Sequence, residues 1–172
     1  MNISVENSAL SFKSRQDLLK MVFIKSGISV LDGEFFDGTF MRYKLKLDNR
    51  LISLNILIKN IVNSGWIEKP YIKRIQIKSL LNVEVPKNTN ESCTMLVGVA
   101  LVNSKPILVV WNPFMYTYHN TNRSCYVNVE SLAKCWRDGF LKTIDAKQNI
   151  LLSDEENFGV LIKRYIDDNS IE

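Results

Sequence analysis

One histidine, three cysteines, four prolines and seven glycines are thin provision for a chain of 172 residues, and each shortage closes off a class of function. A single imidazole, His119, removes most histidine-dependent metal sites and leaves a catalytic triad only one candidate base. Carboxylate-only magnesium sites survive that argument. Cys93, Cys125 and Cys135 are odd in number and form no C-x-x-C pair. Neither a disulfide framework nor a zinc site is expected, and a reducing cytoplasm is the natural compartment. The longest unbroken apolar run, Ile107 to Trp111, has the length of a strand, far short of the roughly 20 residues of a membrane helix. The opening Met1 to Glu6 lacks the basic and apolar regions of a secretory signal. No GxxxxGK[ST], GxGxxG or GxSxG motif occurs, so no nucleotide loop, nucleophile elbow or cofactor is expected.

What is present is charge, unevenly spread. Residues 41–80 hold nine bases (Arg42, Lys44, Lys46, Arg50, Lys59, Lys69, Lys73, Arg74, Lys78) against Asp48 and Glu68, a net +7 in a chain of net +4. The last 20 residues hold six acids against Lys163 and Arg164, a net −4. A basic block of this kind is an electrostatic footprint for a polyanion, with nucleic acid the first candidate; a merely solvated strand face is the plain alternative.

The spacing of apolar residues predicts a strand-dominated α+β domain. Leu18, Leu19, Val22 and Phe23 fall at helical intervals before Gly27, and Asp32-Gly33 and Asp37-Gly38 read as turns. Arg42 to Leu47 alternates base with apolar residue, as a half-buried strand does, and Leu51 to Ile58 follows after Asp48-Asn49. In Ile72 to Lys78, the side chains of Arg74, Gln76 and Lys78 fall opposite Ile75 and Ile77. Thr94–Val102 and Pro106–Trp111 form a buried hairpin turning at Asn103-Ser104-Lys105. Ser124 to Val129 is a further strand, Glu130 to Asp138 a helix with Leu132, Cys135 and Trp136 inward, and Ile150 to Leu152 a last strand. Ser153 or Asp154 caps a final helix with Phe158, Leu161, Ile162 and Tyr165 as its stripe. One domain spans 1–172: a helix and turns over 1–40, an antiparallel pseudobarrel over 41–152 and a helix over 153–172.

Catalysis finds little support. Cys125 lies in a strand alternation six residues from His119 and reads as core. A metal-dependent nuclease needs converging carboxylates, and the candidates are Asp32, Glu34 and Asp37, or Asp145 with Lys147. Recognition is better served by two polar segments. The first, residues 59–71, offers Lys59, Asn60, Asn63, Ser64, Trp66 and Lys69, and the resemblance described below extends it to Lys73, Arg74 and Gln76. The second, residues 112–123, has no acid and offers Asn112, Tyr116, Tyr118, His119, Asn120, Asn122 and Arg123. Asn and Arg carry the donor and acceptor pairs that read purine edges, Lys and Ser suit phosphates, and Trp66, Tyr116 and Tyr118 suit base stacking.

The succession Lys73-Arg74-Ile75-Gln76-Ile77, the Val-rich hairpin, Val110-Trp111-Asn112-Pro113 and Arg123-Ser124-Cys125-Tyr126-Val127 before a short helix resembles the N-terminal DNA-recognition domains of LlaJI-type, McrB-like restriction systems. These are similar to the pseudobarrels of plant auxin-response factors and of EcoRII. Over residues 40–166 the resemblance implies a barrel gripping the major groove of duplex DNA with two loop arms, Lys59 to Gln76 and Asn112 to Arg123. It also implies a parent protein with a GTP-driven motor and a nuclease partner.

The expectation is a non-catalytic, site-specific module for double-stranded DNA, without metal or membrane; the alternatives are a base-flipping reader of modified DNA and a small metal-dependent nuclease. Arg123 is the first candidate for a base-edge contact, since a guanidinium bonds both acceptors of one guanine. Arg123→Ala is expected to cost about 1–3 kcal/mol on the cognate site and relax one base position. Selection from a randomised duplex library checks this, and an unchanged motif removes the contact.

Overall fold

Val-rich strands that are apolar on both sides need cover on both sides, and that requirement organises this chain. The computed structural model describes residues 3–6, 9–36, 38–77, 83–115 and 124–169. Their elements run β1 (Val5–Glu6), α1 (Phe12–Lys25), β2 (Ser29–Phe36), β3 (Met41–Leu47), β4 (Arg50–Asn60), β5 (Val62–Asn63), β6 (Ile72–Gln76), β7 (Ser92–Val102) and β8 (Lys105–Trp111). After a 3-10 turn at Pro113–Met115 come β9 (Ser124–Asn128), α2 (Val129–Asp138), β10 (Phe140–Asp145), β11 (Gln148–Asp154) and α3 (Phe158–Asn169).

Eight strands form the large sheet, in the order β10-β11-β8-β7-β4-β3-β2 with β1 added to β7, and β5-β6-β9 form a small one. Every pairing is antiparallel except β4 with β7, which run parallel from Ser53 opposite Ser92 to Asn60 opposite Val99. One face of the large sheet presents Tyr43, Leu45, Leu54, Met95 and Val110 to Leu19, Val22 and Phe23 of α1 and to Phe158, Leu161, Ile162 and Tyr165 of α3. Each such side chain stabilises the fold by about 1.5–3 kcal/mol when fully buried. The Tyr165 hydroxyl donates to the Thr94 carbonyl at 2.9 Å, which satisfies a polar group inside this layer. The other face presents Leu57, Leu96, Val109, Trp111 and Leu152 to Ile75, Cys125 and Val127 of the small sheet and to Leu132 and Cys135 of α2.

Several expectations hold. α1 begins on Ser11, whose hydroxyl accepts from Ser14 N at 3.0 Å, and closes before Gly27 at φ 71°. β3 alternates strictly, burying Met41, Tyr43, Leu45 and Leu47 and exposing Arg42, Lys44 and Lys46. Asn103 and Ser104, at φ 47° and 64°, make the two-residue turn between β7 and β8.

Among the described residues the strands form open, mostly antiparallel sheets, with β2 and β10 at the two ends of the larger ladder. Other expectations are corrected. Asp32-Gly33 makes no turn: β2 runs through it, and register shifts on either side of Asp32 absorb the extra residues as bulges. β10 is an addition, hidden in the sequence because an edge strand exposes alternate residues such as Lys142 and Ile144. α3 starts at Phe158, since the Asp154 carboxylate accepts from the amides of Glu156 and Asn157 and holds a turn ahead of the helix. Asp37-Gly38 and Lys78 as readings rest on Asp37 and Lys78, outside the described residues.

Gly98 sits where the crossover presses on β7: a Cβ there would lie 2.7 Å from Ile61 Cγ1 and 2.8 Å from the Trp111 ring. Gly98→Ala is therefore expected to destabilise by about 1–3 kcal/mol through overpacking. Urea unfolding checks it, with part of the loss recovered by adding Ile61→Val.

Candidate nucleic-acid interface

The outer face of the small sheet collects the candidates that remain open to solvent. β6 is its central strand, and Arg74 lies opposite Val62 of β5 on one side and Tyr126 of β9 on the other. Because Ile75, Cys125 and Val127 turn inward, strand alternation turns Arg74, Gln76, Ser124 and Tyr126 outward. The Trp66 ring stacks on Tyr126 at 5.0 Å between centroids and 22° between planes. The Lys69 ammonium lies 5.7 Å from the Trp66 centroid. Trp66 is 46% exposed and Ile67 96%, so the loop between β5 and β6 projects an apolar and cationic tip. The turn is held by the Ser64 hydroxyl, which accepts from Trp66 N at 3.2 Å, and by Gly65 at φ 82°. Arg74 Nε is buried with no hydrogen-bond partner among the described residues.

Gln76, the end of the first arm, lies opposite Ser124, the residue that follows the second arm, whose other end at Asn112 follows β8 of the large sheet. Tyr116, Tyr118, His119, Asn120, Asn122 and Arg123, the outer part of the second arm, lie outside the described residues. Of the remaining candidates, Lys73, Asn60 and Asn112 are committed to structure. Lys73 is buried, its ammonium donates to Asn63 Oδ1, and burial lowers its pKa. Asn60 holds the Leu10 backbone through both atoms of its amide, at 3.2 and 2.9 Å, and Lys59 shares a cleft with Arg15 at the end of β4. Asn112 donates to Asn169 of α3 at 2.9 Å and accepts from Phe114 N at 3.0 Å. Tyr126 and Arg15 were missing from the candidates. Tyr126 was available from the alternation that places Cys125 and Val127 inside, whereas nothing local to α1 marks Arg15.

Charge is segregated in space as well as in sequence. Arg42, Lys44 and Lys46 project from the large sheet on the side that carries the small sheet, opposite α1 and α3. Lys46 has no ion-pair partner among the described residues, and the Lys44–Asp32 pair, 3.4 Å apart and exposed at both ends, is weak. Three of the six C-terminal acids are paired elsewhere: Asp154 with Lys105 at 2.8 Å, Glu155 with Lys25, and Asp168 with Lys142 at 2.8 Å and Arg164 at 3.2 Å. Burial works against ionised Asp154, but the Lys105 and Asn157 hydrogen bonds outweigh it and hold its carboxyl below the usual range.

The catalytic candidates have structural employment. Asp145 is buried and accepts from Asn128 N at 2.8 Å, Asn128 Nδ2 at 3.1 Å and Ser131 Oγ at 3.1 Å, which caps the start of α2 from a neighbouring hairpin. Asp32 faces Lys44, and Asp37 and the Glu34 side chain lie outside what is described. Among the described residues no three His, Cys, Asp or Glu converge as a metal would need. The thiols are buried, and burial pushes Cys93 and Cys135 up to about 12, which keeps them protonated.

The family model described as methylase-associated X1 matches residues 52–162, from β4 into α3. No curated protein and no solved structure matches the chain.

Asp145→Ala strands three donors at the start of α2. It is expected to cost about 1–3 kcal/mol of stability, with or without magnesium. Thermal unfolding in magnesium and in chelator checks this; stabilisation by magnesium that vanishes in the variant returns Asp145 to the metal ligands.

Proposed function

Since the chain belongs to the methylase-associated X1 family, found in restriction-modification systems, we propose that it is a non-catalytic module that binds double-stranded DNA for such a system. Recognition would be by the small sheet's outer face and the arms that end at it, gripping the major groove; a pseudobarrel-like, McrB-like role beside motor and nuclease parts in the cytoplasm belongs to the same proposal. The observation that carries the reading is the charge segregation. Three of the C-terminal acids, Asp154, Glu155 and Asp168, pair with Lys25, Lys105, Lys142 and Arg164, all outside residues 41–80, while Arg42, Lys44 and Lys46 of the basic block project on the small-sheet side. Phosphates are the complement of such a surface, and Trp66 and Lys69 add a stacking face and a point charge beside it. The commitment of Asp145 to the α2 cap favours recognition over hydrolysis.

The half-exposed Trp66–Tyr126 stack favours one further reading, in which an extruded base rests on the indole. A fluorescent purine placed along the duplex separates the two, because extrusion raises its emission at one position and groove reading leaves it quenched.

If about five phosphates are contacted, duplex affinity should fall with salt at a log–log slope of roughly −4 to −5. Lys69→Ala should reduce that slope by about 1. Lys163→Gln, beside Asp48 on α3, should leave the slope unchanged. Fluorescence anisotropy across a salt series reads all three, and a flat wild-type dependence removes the polyanion reading.

A further inference from the structure

A cleft of about 110 Å3 opens beside α1 at the ends of β3 and β4, with Leu57 and Lys59 in its lining. Arg15 and Lys59 face into it over a floor that includes Met41, Ile56 and Ile58, and its described lining contains no acid. Arg15 is fixed there: its Nη1 donates to the Leu10 carbonyl at 2.6 Å, the same oxygen that Asn60 holds at 2.9 Å, and its Cζ lies 5.9 Å from the Phe12 centroid. Its Nε is buried and has no partner among the described residues. Lys59, the neighbour of Asn60 on β4, has no hydrogen-bond or ion-pair partner there either. Burial and then the charge of Arg15 lower the Lys59 pKa, and burial lowers that of Arg15.

Two cations side by side over apolar residues, one of them fixed, repel each other in a medium that screens poorly. An anion between them turns that repulsion into two attractions. We propose that this cleft binds a single phosphate-type oxyanion between Arg15 and Lys59. Organic ligands occupy clefts of about 300–1,000 Å3, so this one takes the phosphoryl group alone, either as a free ion or as one phosphate of a DNA backbone that continues outside. A guanidinium and an ammonium suit it as fork and point charge. The inference uses neither the Trp66–Tyr126 stack nor the outer face of the small sheet, and so stands independently of the interface above.

The test is an NMR titration of the full chain with inorganic phosphate, at constant ionic strength in chloride, following Arg15 Nε–H and the Lys59 side chain. Saturable shifts at both are expected, together with a rise in the Lys59 pKa. Arg15→Gln and Lys59→Gln should each weaken the phosphate by about tenfold or more. Lys13→Gln, on an exposed position of α1, should not change it. Lys59→Gln removes no hydrogen bond that the described structure makes, so it separates loss of the site from loss of the fold. No saturable shift, or equal shifts in both variants, overturns the proposal. Adding a short duplex then assigns the source: displacement of phosphate identifies a backbone contact, and simultaneous binding identifies a free ion. Duplex binding without any phosphate response sinks this site and leaves the interface standing.

Discussion

The parallel pairing of β4 with β7 is the constraint on which the rest depends. Parallel neighbours cannot be joined by a tight turn, so the chain must leave the sheet after Asn60 and return at Ser92. β7 is buried on both faces along nearly all its length, so the returning segment cannot simply hang in solvent. It crosses the face that α1 and α3 leave bare and contributes β5 and β6, which β9 completes from the other end of the sequence. The candidate interface is thus the outside of a crossover whose inside is core. Ile75 and Ile77 hold it down, while Arg74 and Gln76, one residue out of phase, are presented.

Gly98 shows how closely this crossover is seated. Ile61, the first residue after β4, bonds through its amide to the Val99 carbonyl at 2.8 Å and presses its side chain onto the Gly98 backbone beside Trp111. Trp111 in turn donates to the Tyr126 carbonyl at 3.3 Å, and Tyr126 carries the Trp66 stack on its outer side. A continuous set of contacts therefore runs from the centre of the large sheet to the exposed indole. Its position is fixed by packing and by the strand it stands on, which is what a recognition surface needs if it is to be shaped before its partner arrives.

Local signals were legible in the sequence and long-range ones were not. Strict alternation gave β3, Asn103-Ser104 gave the β7–β8 turn, and helical spacing gave α1 and α3, because each depends on neighbours in sequence. The parallel register of β4 and β7 depends on residues about 39 apart (Ser53 with Ser92) and has no local mark, so a wholly antiparallel arrangement was the natural inference, and one parallel pair stands within the described ladder. β10 escaped because an edge strand needs few apolar residues.

The polar residues divide along the same line. Lys73, Asn60 and Asn112 look in sequence like Lys69, Gln76 and Arg74, since residue type alone advertises donors. Burial and partner separate them. Lys73 is drawn inward onto Asn63, Asn60 clamps the N-terminal segment to β4, and Asn112 ties the end of β8 to α3. Each holds in place an element that the candidate surfaces stand on. Asp145 is the sharpest case: the one acid-x-Lys triplet in a nuclease search becomes the hydrogen-bond acceptor that joins the β10–β11 hairpin to the start of α2. With three donors on two oxygens, that carboxylate has little capacity left for a metal. Charge follows the same logic, because acids that are hydrogen-bonded or ion-paired within the fold no longer offset the bases. The net +4 of the chain consequently understates the positive face that the small sheet shares with β3.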